Sequence, residues 1–553
     1  MTALRDRPLA GHVQLTGRSA IGGRFIEGPT LPAHAFHSLN PGTGENIEPT
    51  FHPATDEQVD SACLAAWDAF GDFSGTAPSR RARLLETIAT EVRDIGELLV
   101  STVMAETGLG EERIVAERDR TMDTLRQLAD AVRDGRWMEP IIDRGEPNRR
   151  PPKADIRRML QPMGPVAVFG ASNFPLAYSV AGGDTASALA VGCPVIFKGH
   201  PSHPATSELV ARAVMAAVEG CGLPAGTFSY LVGGGPREQA VGSLLVRNPC
   251  VRAVGFTGSI SGGVALSKLA ADRLDPIPVY AEMGSVNPVV MLPGAIEKHS
   301  EAAAQALAAS ITESCGQQCT RPGMIFLHAS YAADKFLADL ANRMEAAGPG
   351  TMLSVRLRRN LVGRIERAEA ARGVEMIASW DPKLRAERPG PVRAYPVLMR
   401  TPAAVFREHI ALREEFFGPV AVAVVCASTT DMLRALAMVQ GSLTGTIWAE
   451  TSDEADTRRV HTMMEQRVGR LIYNGVPTGV RVAPAMVHGG PYPASNRPES
   501  SAQGPTAIRR WCRPVCFQET PDHLLPPALQ AGNPLKIERL VNGKASREPT
   551  PTK

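Results

Sequence analysis

Apolar residues recur along the chain in two periods. Val59, Cys63, Ala66 and Phe70 fall three or four residues apart, the spacing that lines one face of a helix. Leu84, Leu85, Ile88, Val92, Ile95, Leu98 and Leu99 predict a second helical face that ends near Gly108 and Gly110, where glycine accepts the left-handed cap. Further on the pattern changes to short unbroken apolar runs at residues 165–169, 194–197 and 253–256, separated by helix-compatible stretches. Such runs suit strands covered on both faces, so buried parallel strands alternating with helices are predicted. A second series at 289–292, 325–327 and 420–425 predicts a second α/β unit. Between the helical region and the first strand, residues 137–153 turn to Pro, Arg, Gly and Asp without helical period, an excursion from the core. Beyond Pro521 the chain is rich in Pro, Asn and Lys, and Gly543 to Lys553 is expected to be a mobile tail. No internal repeat is visible.

The chain has 553 residues, which at roughly 150 per folding unit implies about three or four units. With 44% apolar and 21% charged residues, the composition is that of a globular protein and excludes disordered and collagen-like classes. Lys plus Arg number 59 against 57 Asp plus Glu, and no segment clusters basic residues beside aromatics, which favours a small-molecule ligand over nucleic acid. The nine cysteines are scattered and odd in number, which argues against a disulfide scaffold and for a reducing cytoplasm. No apolar stretch reaches the roughly 18 residues a membrane span needs, and Met1 to Leu15 lacks the apolar core of a secretion signal.

Chemistry concentrates at the ends of the predicted strands. One strand runs into Thr257-Gly258-Ser259 and then a helix containing Val264, Leu266 and Leu269, where free N–H groups favour a phosphate; the same residues also mark ordinary turns. The strand at Val166 is followed by Gly170-Ala171-Ser172-Asn173-Phe174-Pro175, so the G-x-G-x-x-G fingerprint is absent. Cys319 lies on a glycine-flanked loop near Arg321, whose cation is expected to lower the thiol pKa and favour a nucleophile, although most cysteines simply pack. Cys315 and Cys319 also invite a metal reading, but no second Cys/His pair at zinc spacing accompanies them. Glu282, in Tyr280-Ala281-Glu282-Met283-Gly284-Ser285, reads by itself as a solvated loop charge.

Taken together and in order, Asn173, Lys198, Thr257-Gly258-Ser259, Glu282, Cys319 and Glu415-Phe416-Phe417-Gly418-Pro419 resemble the aldehyde dehydrogenase superfamily over residues 20–540. The runs GPVAVFGASNFPLAYSVAGGDTASALAVGCPVIFKGHPSHP, PIPVYAEMGSVNPV and NGVPTGVRVAPAMVHGGPYPAS are similar to its α-ketoglutaric semialdehyde (2,5-dioxovalerate) dehydrogenase branch, which also holds NADP-dependent aldehyde dehydrogenases. The resemblance implies that Cys319 attacks an aldehyde, that Asn173 and the Cys319 N–H hold the oxyanion, and that Glu282 activates the water that hydrolyses a thioester. It places Lys198 and Glu415 at the two riboses, Thr257, Gly258 and Ser259 at the pyrophosphate, and Phe417 near the nicotinamide. Pro201 stands where NAD-selective members carry a glutamate, and Ser202 and Arg237 lie nearby, so NADP is expected to be accepted or preferred alongside NAD. Arg321 and Arg481 are candidate anchors for a substrate carboxylate, with salt bridging as the alternative for each, and His488 is a candidate for proton transfer. The segment 496–503 departs from the usual branch sequence.

The implied fold class is α/β, with a Rossmann-like cofactor domain (1–136 and 161–284), an α/β catalytic domain (285–495), an oligomerisation element (137–160 and 496–520) and a C-terminal extension (521–553). A homodimer or homotetramer without a metal is expected, because strands of the third element pair between subunits. The expected reaction is NAD(P)-dependent oxidation of an aldehyde, with 2,5-dioxopentanoate as one substrate and neutral aliphatic, fatty or aromatic aldehydes as the alternative. A non-catalytic descendant has no need of Cys319, Glu282 and Asn173 together, and a nucleotide-independent cysteine hydrolase would turn over activated esters without cofactor.

Overall fold

The computed structural model describes residues 14–27, 30–378 and 390–551. Most of the stretch read for a secretion signal, residues 1–13, lies outside the described residues. The first helix, Asp56–Ser74, starts at a capping box in which Thr55 and Gln58 satisfy each other's backbone N–H groups. The expected second helix is two, Pro78–Asp94 and Glu97–Thr107, because Gly96 at φ 65° breaks the ladder between them. Gly108, at φ 66°, closes the second with the left-handed cap. A long helix that the periodic pattern did not mark, Glu111–Asp134, packs against Pro78–Asp94 through Leu125, Leu128, Ala129 and Val132.

Seven strands form the first sheet, in the order Val279–Glu282, Ala253–Thr257, Val166–Phe169, Val195–Lys198, Phe228–Leu231, Ala20–Ile21, Arg24–Phe25. The first five are parallel, and the last two add an antiparallel edge. Val166–Phe169, earliest in the chain of the five, lies between Val195–Lys198 and Ala253–Thr257, so the connections diverge there and open a crevice at the strands' carboxyl ends. A second sheet of seven runs Glu375–Met376, Val397–Pro402, Val420–Cys426, Met324–His328, Pro288–Met291, Ser442–Trp448, Val468–Tyr473, parallel throughout except at Glu375–Met376. Every residue of Val166–Phe169, Val195–Lys198 and Pro288–Met291 is buried, which is why these segments read as unbroken apolar runs.

A third sheet joins Cys512–Gln518, Ile156–Pro162, Ile141–Asp143, Arg539–Val541 and Lys544–Ser546. Residues 137–153 therefore contain a strand where only irregular chain was expected. The expectation of a free tail is corrected as well: Lys544–Ser546 pairs with Arg539–Val541, and Thr550 N donates to Ala531 O at 2.9 Å. The buried Asn533 holds this return, its Nδ2 donating to Arg547 O at 2.7 Å and Ile537 O at 2.9 Å. No helix of the described residues is long and apolar enough to cross a membrane.

Candidate active site

The loop bearing Cys319 follows the helix Pro293–Thr312 and begins with a left-handed turn at Ser314 and Cys315, φ 52° and 56°. Such residues cost roughly 1–2 kcal/mol each, so other contacts must impose the turn. The side chain of Gln317 donates to Ser314 O and Thr351 O, both at 3.1 Å, and accepts from Leu353 N at 2.9 Å. Asn287 Nδ2 donates to Cys319 O and Arg321 O, both at 2.8 Å, while its Oδ1 accepts from Ser285 and Thr444. At Gly316 a Cβ would lie 2.3 Å from the Gly418 carbonyl carbon, so only glycine lets this loop rest on the segment after Glu415. Cys315 is buried against Met352, its Sγ 3.6 Å from the thioether sulfur, as a packing residue. Among the described residues no cluster of three His, Cys, Asp or Glu side chains is placed to hold a metal.

Cys319, His488 and Glu282 stand in a row. The Cys319 Sγ lies 3.7 Å from His488 Nε2, which lies 4.0 Å from Glu282 Oε2. Glu282 ends the strand Val279–Glu282, is 3% exposed, and neither of its carboxyl oxygens has a hydrogen-bond partner. It is not the solvated loop charge that its local sequence suggested: burial raises its pKa to about 8, opposed by Arg510 and reinforced by Asp184. Arg510 is itself paired with Asp184 at 2.6 Å. Burial drives His488 down to about 3, so its imidazole is neutral. The thiol of Cys319 is pushed up to about 12 by burial, and the cation opposing this is Arg120. Arg321, expected to lower that pKa, is turned away from it.

Asn173 lies on the loop after Val166–Phe169, its Nδ2 donating to Gln317 O at 3.0 Å. Glu117, fully buried on the helix Glu111–Asp134, accepts from Leu176 N and Ala177 N, both at 2.8 Å, and binds Arg113 at 2.7 Å. The helix thereby fixes the loop that carries the amide.

Two cavities flank the row. One, of about 290 Å³, is lined by Cys319, Gln318, Phe174, Tyr178, Arg120 and Val480 among others. The second, of about 380 Å³, is lined by Gly284 and Ser285, just beyond Glu282, together with Glu415, Arg364 and Ile260. Glu415 is half-buried, and desolvation raises its pKa. Ser259 caps the helix Ile260–Ala271, accepting from Gly262 N at 3.2 Å, and Gly258 and Ser259 are exposed at this helix start with Thr257 half-buried beside them. Lys198 is buried, donates to Gly233 O at 2.7 Å and is held down to about 8 by desolvation. An ammonium and a carboxylate at strand and loop ends, with an open helix N-terminus between sheet and solvent, form a donor set that fits a dinucleotide. Phe417 is half-buried and outside this cavity's lining, next to the fully buried Phe416. Ser202 is half-buried, its N–H donating to His200 Nδ1 at 3.1 Å. Arg237 is tied to Asp56 and to Ala54 O.

The two arginines expected at the substrate are not brought to Cys319's cavity. Arg321 is buried, and its guanidinium donates to the carbonyls of Pro322, Val420 and Phe416, bracing one loop against the other. Arg481 is exposed, and the lining stops at Val480. Arg113, Glu117 and Arg120 lie outside the motifs, and Asn287 was not singled out although it lies inside the run PIPVYAEMGSVNPV. The signal for the first three was the helix itself, with Ile114, Met122, Leu125, Leu128 and Val132 at helical spacing, interrupted by the inward-facing Glu117 and Thr121.

The sequence model of the aldehyde dehydrogenase family matches residues 29–492. The chain is 43% identical to alpha-ketoglutaric semialdehyde dehydrogenase 2 of Azospirillum brasilense, over 96% of this chain and 100% of that protein. It is 40% identical to alpha-ketoglutaric semialdehyde dehydrogenase of Acinetobacter baylyi, over 94% of this chain and 98% of that one. Among solved structures it is similar in fold to 1-pyrroline-5-carboxylate dehydrogenase from Thermus with bound NAD, at TM-score 0.76 and 21% identity, covering 91% of this chain and 92% of that one.

Proposed function

The chain belongs to the aldehyde dehydrogenase family, and from that premise we propose that it oxidises 2,5-dioxopentanoate to 2-oxoglutarate through a thioester on Cys319. The substrate rests on the two near-full-length relatives, whose names specify that semialdehyde. The chemistry rests on one observation, the row Cys319, His488, Glu282 beside a cavity of about 290 Å³. That volume falls just under the range of ligand sites, roughly 300–1,000 Å³, and suits a short aldehyde better than a fatty one.

The thiol must lose its proton to attack. His488, near pKa 3, is too weak a base to keep that proton, which passes to solvent, and Glu282, near 8, is the stronger base that acts on water in the later step. Attack by the sulfur on the aldehyde carbon places negative charge on oxygen, toward which Asn173 Nδ2 and the Cys319 N–H are the donors. Asn173's bond to Gln317 O is exchanged for one to the oxyanion, a contribution of roughly 3–4 kcal/mol. When bound, the nicotinamide supplies the hydride acceptor. Glu282 then takes a proton from water as that water attacks the thioester, releasing the acid and the thiolate, which is reprotonated.

Lys198 and Glu415 are assigned to the riboses and Thr257, Gly258 and Ser259 to the pyrophosphate; Phe417 is kept at the nicotinamide end. NADP is taken as well as NAD because Pro201 puts no carboxylate against a 2′-phosphate. Its support comes from Lys198 and Ser202 and not from Arg237, whose charge Asp56 occupies. The edge strand Cys512–Gln518 is the surface through which subunits pair into a dimer or tetramer. The nine free cysteines suit the cytoplasm. The cofactor domain is kept at 1–136 and 161–284, the catalytic domain at 285–495 and the oligomerisation element at 137–160 and 496–520, with residues 521–553 adding Arg539–Val541 and Lys544–Ser546 to the sheet of that element. Reduced-nicotinamide formation, followed at both cofactors over acidic and neutral aldehydes, tests the reading: turnover is expected to be highest with 2,5-dioxopentanoate and measurable with NADP. Better turnover of long neutral aldehydes, or none with NADP, contradicts it.

A further inference from the structure

We propose that Arg120 is the anion anchor of the aldehyde cavity, its guanidinium binding the distal carboxylate of an acidic aldehyde whose carbonyl lies at Cys319. The inference rests on the dehydrogenase reading and adds the residue that selects the substrate class.

Four other arginines near the site are already committed. Arg113 is paired with Glu117 at 2.7 Å, Arg321 is spent on three carbonyls, and Arg470 donates to the carbonyls of Pro477 and Gly479 behind the wall. Arg510 is paired with Asp184. Arg120 differs from all of them. It lines the same cavity as Cys319 and is half-buried, yet among the described residues it forms no ion pair. Its one hydrogen bond is long, 3.3 Å to Tyr178 Oη, and its Nε is buried without a partner. The aromatic rings of Tyr178 and Phe174, with centroids 5.6 and 5.7 Å away, hold the guanidinium plane without neutralising it.

A partly desolvated cation with an unused donor is costly to keep unless an anion meets it. The fork of N–H groups suits a carboxylate, and the cavity's other charges do not compete: Glu117 is held by Arg113, and Glu313 is exposed and makes no ion pair with Arg120. Burial raises the pKa of the Tyr178 phenol and keeps it protonated, so its hydroxyl remains a neutral donor beside the guanidinium.

The test compares 5-oxopentanoate with pentanal, which have the same chain length with and without the carboxylate. Because Arg120 also opposes burial at Cys319, its loss slows every aldehyde, and the informative quantity is the acid-to-neutral ratio of kcat/KM. Arg120→Met is expected to lower that ratio by roughly 10- to 100-fold. Arg120→Lys, which keeps the charge without the fork and serves if the methionine variant folds poorly, is expected to recover part of it. In the resting enzyme without cofactor, the rate of Cys319 alkylation by iodoacetate relative to iodoacetamide is expected to fall in the same order. This arm decides on Arg120 even if the wild type oxidises no aldehyde, an outcome that would remove the dehydrogenase reading alone. A ratio unchanged in both assays, or moved further by Arg481→Met, overturns the proposal.

Discussion

The two cavities beside the Cys319–His488–Glu282 row are built from different parts of the chain. On the side assigned to the cofactor, Lys198 ends Val195–Lys198 and Thr257 ends Ala253–Thr257, while the cavity itself is lined by Gly284 and Ser285, just past Val279–Glu282, and by Glu414, Glu415, Tyr492 and Pro493. On the aldehyde side, the wall comes from one flank of Glu111–Asp134, from Phe174 and Tyr178, and from residues 478–480. Strand-end chemistry is contiguous in sequence and constrained by close backbone approach, as Gly258 beside Phe256 illustrates, where a Cβ would lie 2.6 Å from the ring. Helix-flank chemistry is a few separate polar side chains, Arg113, Glu117 and Arg120, spread over one helix. The first kind fixes the reaction type, and the second is free to set which aldehyde enters.

Substitutions separate these roles. The largest effect is expected from Cys319→Ala, a loss of at least about 10⁴-fold in turnover for every aldehyde, with dinucleotide binding by fluorescence unchanged; retained turnover would show that another group forms the bond. Glu282→Gln is expected to lower steady-state turnover by roughly 10²–10⁴-fold while one equivalent of reduced cofactor still forms in a burst. For the wild type, the rate limited by Glu282 is expected to climb as pH rises toward about 8, where the carboxyl ionises. The same shift affects stability. Above the ordinary value of 4.5 the unfolded chain releases the proton, whereas the folded chain keeps it until about 8, so folding weakens as pH rises across that window. Glu282→Gln removes the slope, and its melting temperature is expected to exceed that of the wild type at pH 9 but not at pH 5; equal differences at both would contradict the burial account.

Asn173→Ala is expected to cost roughly 10²–10³-fold in kcat, alike for acidic and neutral aldehydes, because it serves the oxyanion and not the tail. Glu117→Gln acts one step further away, on the loop that carries Asn173. Chemical unfolding is expected to show a loss of about 1.5–3 kcal/mol, with the acid-to-neutral ratio unmoved. The smallest change belongs to Arg237→Ala. Since Asp56 already holds that guanidinium, the NADP-to-NAD ratio of kcat/KM is expected to shift by less than about threefold, and a large fall would return Arg237 to the 2′-phosphate.

The two α/β sheets were legible because their strands are buried on both faces and so appear as apolar runs, and the motif residues were legible because they end those strands. The third sheet was less so. Ile141–Asp143 is three residues long, and Arg539–Val541 and Lys544–Ser546 are mostly polar or exposed, with stability drawn from Asn533 and Arg539 hydrogen bonds to the returning chain. Arg321 misled for a related reason. Two residues from the nucleophile, it looked available, but the loop's turn over Gly316 sends its side chain into the carbonyls behind the cavity. Helix Glu111–Asp134 hid its chemistry behind the polar Glu117 and Thr121, which face inward and dilute the apolar stripe.

The central claim, a transient acyl bond to Cys319 beside Glu282, is tested most directly by intact-mass and peptide mass spectrometry of Glu282→Gln. The variant is mixed with 2,5-dioxopentanoate and either dinucleotide and quenched after the burst. The account predicts a single acyl adduct on the peptide containing Cys319, in a one-to-one ratio with reduced cofactor. Reduced cofactor without that adduct, or an adduct on another cysteine, would contradict it.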